Sequence, residues 1–161
     1  MILIFFVCTT VLKAQSVYDE LVDKIPEEVI GFKLSQKPEV ESVKVNGEKN
    51  YSLAAYYNKG VEDYFSFRLN AYPDNPEFIN GQIKALENAP KEYEDDDVHF
   101  KTVELGGFTA QMNHDKSSGS FDVTVFVDEE ARPWLLTTMG RGYENEDQAI
   151  EAMKMIMKSI M

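Results

Sequence analysis

The stretch VHFKTVELGGFTAQMNHDKSSGSFDVTVFV, residues 98–127, decides the fold. In its last third Phe121, Val123, Val125 and Val127 alternate with Asp122 and Thr124. A period of two is the signature of a strand with one buried face. The same segment holds two more strand-like runs, VHFKTVEL and FTAQMNH, separated by Gly106-Gly107 and by Asp115 to Ser120. Connections this short make neighbouring strands antiparallel. A further turn, Asp128 to Arg132, leads to PWLLTTMG, so four strands follow one another here.

Towards the N-terminus the period is again two. VESVKV, Asn46-Gly47 and EKNYSLAAYY read as a hairpin, because Asn-Gly suits the positive φ angles of a type I′ turn. A turn at Asn58-Lys59-Gly60 leads to DYFSFRLNAY. There Phe65, Phe67, Leu69 and Ala71 point one way, as core. Tyr64, Ser66, Arg68, Asn70 and Tyr72 point the other.

Helical spacing marks three further segments. Ser16 to about Ile25 places Val17, Leu21, Val22 and Ile25 on one side, and Pro26 stops it. Val29 to Phe32 then reads as an apolar turn or short extended piece. Asp74 or Asn75 caps a second helix with Pro76 in its first turn. Its stripe is Phe78, Ile79, Ile83 and Leu86, with an end at Pro90. Gly81 inside it suggests close packing on a sheet. A third helix runs from about Glu146 to Ile160, with Asn145 and Gln148 at capping-box spacing. Ala149, Ile150, Met153, Ile156, Met157 and Ile160 form its buried side.

The expected fold is therefore α+β: an antiparallel sheet of about seven strands flanked by helices, in the order α-βββ-α-ββββ-α. Residues 17–161 make one domain. This order resembles the Mog1/PsbP-like sandwich. LVDKIPEEVIGF, the 103–129 run and TTMGRGYENEDQAIEAM also resemble a group of uncharacterised exported bacterial proteins of that general shape. The resemblance implies a layered sandwich. It brings no catalytic motif, and a shared fold implies no shared function.

Residues 1–16 differ from the rest. The apolar run Ile2 to Leu12 is shorter than the roughly 20 residues that span a bilayer, and it matches a signal-peptide core. Ala14-Gln15-Ser16 places small residues for cleavage after Ser16, with the bond after Ala14 as the second choice. No basic residue follows Met1, which leaves a buried N-terminal element as the alternative. Cys8, the one cysteine, lacks the small residue that lipid attachment wants before it, because Phe6-Val7 precede it. The expectation is an exported chain, periplasmic or extracellular, that relies on its core and not on disulfides. Its net charge of −12 disfavours nucleic acid and anionic membranes.

Chemistry-bearing residues are sparse. The acidic loop Glu92 to Asp97 offers oxygen ligands of the kind Ca²⁺ takes but lacks EF-hand spacing, and it reads as a solvated loop. Asp115, Asp128, Glu129 and Glu130 lie in other turns. His99 and His114, the two histidines, form no metal-binding pair by sequence spacing. Ser117 to Ser120 is a turn and not a nucleophile elbow. The expectation is thus no catalytic residue, no cofactor and no metal. The candidate binding surface is Tyr64, Arg68 and Tyr72, for an envelope protein or a small ligand. Tyr51, Tyr57 and Trp134 are further aromatics for a groove. The rival readings are a carboxylate/His-dependent hydrolase using His99 or His114 and a Ca²⁺-stabilised envelope protein.

Overall fold

The computed structural model describes residues 18–45, 48–71, 76–127 and 134–161, with side chains except at 43–45, 48–50, 71 and 76–79. The leader, Cys8, Tyr72, the 74–75 cap and the acids at 128–130 lie outside the described residues. The chain opens on α1, described over 18–22, then β1 (Glu28–Val29), β2 (Phe32–Leu34), β3 (Glu39–Val45), β4 (Glu48–Lys59) and β5 (Asp63–Ala71). After these come α2 (Pro76–Tyr93), β6 (Val98–Leu105), β7 (Phe108–Asp115), β8 (Ser120–Val127), β9 (Trp134–Arg141) and α3 (Glu146–Ile160). The fold is α+β with one antiparallel sheet.

Among the described residues the sheet has nine strands in the order β1-β2-β4-β5-β9-β8-β7-β6, with β3 also paired to β4. The expectation of about seven strands is corrected by β1 and β2. Val29 pairs with Phe32 around Ile30 and Gly31, whose φ angles are 45° and 85°. Two successive positive φ values make a two-residue hairpin turn. Ile30 is a β-branched residue in left-handed geometry, which periodicity gives no reason to expect. The hairpin expected around Asn46-Gly47 is present in its strands: Val45 lies opposite Glu48, and the two residues between them lie outside the described residues.

The buried face of the sheet is built by the alternation. Leu53, Tyr57, Phe65, Phe67, Leu69, Val123, Val125, Leu136 and Met112 are fully buried. The side of α3 that covers this face carries the six expected residues and Ala152. Asn145 caps α3: its Oδ1 accepts the Gln148 N–H at 3.1 Å, and Gln148 Oε1 accepts the Glu144 N–H at 3.1 Å. The N-terminal segment is tied to β4. Tyr18 donates to the Tyr51 carbonyl at 2.6 Å, and Tyr57 donates to the Pro26 carbonyl at 2.8 Å. The α1 helix ends at residue 22, earlier than expected, yet Ile25 stays buried.

One row crosses six strands on this buried face. Tyr57, Phe65, Gly140, Phe121, His114 and His99 are successive register partners. Tyr57 stacks on Phe65 at 4.6 Å, and His114 stacks on Phe121 at 4.1 Å with an interplanar angle of 11°. Gly140 leaves the middle of the row without a side chain. Tyr143, just past β9, packs between Phe65 at 5.7 Å and Phe121 at 6.0 Å.

Two helix expectations are corrected. Pro90 does not end α2, which runs on to Tyr93. A proline removes one N–H and disturbs one turn, and a last turn tolerates that loss. Gly81 does not mark close packing either: a β-carbon there meets nothing within 4 Å among the described residues. The main sheet contact of α2 is with the edge strand β6, and Ile83 and Leu86 are only half-buried. No helix among the described residues is long and apolar enough to cross a membrane.

Candidate functional site

Two places on the sheet gather side chains that could meet a ligand. The first is the face opposite the core, on the central strands β5 and β9. Tyr64 and Arg68 share it, as the alternation predicts, and Tyr64 is 51% exposed. The Tyr64 ring is therefore not part of the core. Arg141, its register partner, places its guanidinium 5.2 Å from the Tyr64 ring centre and donates to the Glu62 carbonyl at 3.0 Å. Such cation–π pairs orient both groups at modest energy. Arg68 reaches Glu41 at 3.3 Å and the Tyr56 hydroxyl at 3.1 Å. Met139, opposite Ser66, is 54% exposed.

Sequence reasoning missed Met139, Arg141 and Tyr56. The phase of β9 shows that Met139 and Arg141 share a face, but only the pairing of β5 with β9 sets them beside Tyr64. Tyr51, Tyr57 and Trp134 belong to the hydrophobic core cluster. They are buried in the core at 8%, 0% and 7% exposure.

The second place is a cleft of about 460 Å³ between the start of α3 and the end of the aromatic row. Lys101, His114 and Phe121 enter it from the strands, and residues Glu144 to Asp147 from the helix start. Lys101 Nζ lies 3.2 Å from Glu146 Oε2. His99, beside His114 across the β6–β7 pair, places Nδ1 3.9 Å from Glu94 Oε1. The spacing of the histidines was legible from the turn. Counting back from Gly106-Gly107 pairs residue 99 with residue 114.

The acidic loop is turned on itself. Asp95 Oδ1 accepts the Asp97 and Val98 N–H groups at 2.9 and 2.7 Å. Lys116 binds the loop through Asp96 and Asp97 carbonyls at 3.2 and 2.9 Å. Among the described residues no three His, Cys, Asp or Glu side chains converge as a metal-ligand group. In the next turn the Ser117 hydroxyl, then that of Ser118, and then their backbone N–H groups hold the Asp115 carboxyl down to about 2.

A polar patch lies on the open-face side of β7 and β8. Asn113 and Asp122 are register partners, and Asn113 Oδ1, Asp122 Oδ1 and Gln111 Nε2 are buried without hydrogen-bond partners among the described residues. Burial first, and then the Asp115 charge, push the Asp122 carboxyl up to about 6. A raised value means that the folded chain holds this proton to higher pH than the unfolded chain, whose carboxyl titrates near 3.8. The contribution to stability is complete below about pH 3.8 and is lost as pH rises through about 6. Asp122→Asn is thus expected to raise the melting temperature by a few degrees at neutral pH. The gain should shrink as pH falls through about 6 and vanish only below about pH 3.8. Thermal melts across pH check this, and an equal gain at every pH would exclude titration as the cause. The Tyr57 and Tyr143 hydroxyls are pushed up by burial, which keeps both protonated.

No family model matches the chain, and no curated protein or solved structure matches it.

Proposed function

We propose that the protein is an exported, non-catalytic binding or assembly module of the cell envelope, with residues 1–16 as a signal peptide and residues 17–161 as a Mog1/PsbP-like sandwich. The observation that carries the reading is the pair Tyr64 and Met139. Both are more than half exposed on the two central strands of the sheet. Central strands usually have both faces covered or one face polar. Here an aromatic and a thioether lie among Arg68, Arg141 and the Tyr56 hydroxyl, a mixture enriched where proteins bind each other. The apolar, acid-free start of the chain supports export.

Two measurements test it. The intact mass of the native protein in each cell fraction should show a form that starts at Val17 or Gln15 outside the cytoplasm. An uncut cytoplasmic chain would end the export reading. A photo-reactive residue at position 139 should give one discrete adduct in cells, lost with Tyr64→Ala. The same probe at Glu104 on the edge strand should give none. Equal labelling from both positions would remove the binding face.

The second reading is a carboxylate/His-dependent hydrolase or a Ca²⁺-stabilised envelope protein. The first form is favoured by His114 facing Glu144, Glu146 and Asp147 in one cleft. It requires a reproducible turnover that His114→Gln abolishes.

A further inference from the structure

We propose that His99 and His114 form a cross-strand site for a borderline divalent metal ion, with Zn²⁺ as its representative. Neither histidine takes part in the sheet-face reading above, so the two stand or fall separately.

The register carries the proposal. His99 on β6 and His114 on β7 are direct partners, so both side chains leave the same face of the sheet. Directly opposite residues in an antiparallel pair have β-carbons about 4.5–5.5 Å apart. Two imidazoles on that spacing can share one ion at metal–nitrogen distances of about 2.0–2.1 Å. The His114 ring is held by its stack on Phe121 at 4.1 Å, so less rotational freedom is lost when it binds. Glu94 Oε1 lies 3.9 Å from His99 Nδ1, so this exposed carboxylate is the nearest candidate for a third ligand. The group is a pair with a third ligand close by, and not three converged side chains. Water completes the shell, because the His99 side chain is 42% exposed.

The surroundings favour a cation. The cleft adjoining His114 carries Glu144, Glu146 and Asp147, and its Lys101 is engaged by Glu146 at 3.2 Å. Imidazole selects Zn²⁺, Cu²⁺ or Ni²⁺ over the hard ions Ca²⁺ and Mg²⁺. The donor set thus distinguishes this site from the oxygen-only acidic loop at 92–97.

The experiment is calorimetric titration of the full chain with zinc chloride, followed by thermal melts with and without zinc. One ion per chain is expected, together with a zinc-dependent rise in melting temperature. Ca²⁺ at the same ionic strength should give neither. His99→Gln and His114→Phe should each weaken zinc binding at least roughly tenfold, the scale on which even outer-shell changes act. His114→Phe keeps a ring to stack on Phe121, so loss of binding there is not loss of folding. Should His114→Phe melt far below the parent, Glu94→Gln on the exposed rim provides the second variant, with weaker zinc binding and an unchanged metal-free melt. Zinc binding that survives both histidine substitutions would overturn the site, as would the absence of saturable binding by the parent.

Discussion

Phe67→Ala is expected to cost about 3–5 kcal/mol, the range for emptying a fully buried aromatic position. Phe67 lies on the central strand β5 with 0% exposure, between Ala55 and Thr138 in register. The hole would open within the core cluster on the buried face of the sheet, where the packed neighbours relax only partially. For a chain of this size each kcal/mol lowers the melting temperature by about 2–4 °C, so a fall on the order of 10 °C should follow. Tyr64→Ala, three residues away on the opposite face, is the internal control. Its ring is half in solvent, and the expected cost is about 0.5 kcal/mol. Urea unfolding of the two variants checks the contrast. Equal losses would mean that the face carrying Tyr64 is covered after all.

Gly140→Ala is expected to be destabilising by more than the one added carbon suggests. A β-carbon at 140 would collide with the Phe65 β-carbon and the Tyr64 carbonyl oxygen of the adjacent strand. Those atoms belong to the backbone or are rigidly attached to it, so no side chain can swing away. β5 and β9 must part at this point, and Tyr143 loses the space it fills between Phe65 and Phe121. Overpacking costs typically 1–3 kcal/mol, and about 3 kcal/mol or more is the expectation here because backbone must move. Gly81→Ala provides the comparison within the same chain. Its β-carbon meets nothing among the described residues, it lies inside α2, and the exchange should stabilise by about 0.5–1 kcal/mol. Chemical denaturation of both variants decides the matter. A Gly140→Ala protein as stable as the parent would show that the β5–β9 contact has slack.

Local patterns made most elements legible. The strands at 98–105, 108–115 and 120–127 and the helix at 146–160 coincide with the runs that alternate or repeat at helical spacing. Asn145 could be assigned as a cap because its bond partner, Gln148, is three residues away. The apolar turn at Val29 to Phe32 was legible, but the two short strands that it joins were not, because the turn contains Ile30 at positive φ, a conformation no propensity favours for isoleucine. The continuation of α2 past Pro90 was missed for a related reason: proline weakens one turn without forbidding the next.

The candidate sites divide along the same line. The facing of Tyr64 and Arg68 needed only the alternation within β5, and the pairing of His99 with His114 needed only a count from Gly106-Gly107. Both follow from contacts between neighbours in the chain. The open strip with Met139 and Arg141, and the cleft between His114 and Glu146, required β9 to settle between β5 and β8, and α3 to lie across the buried face. Those placements depend on how residues far apart in the chain fill one another's space, as Gly140 does against Phe65. Periodicity tells each segment which side to bury, but only packing across the whole sheet selects the partner it is buried against.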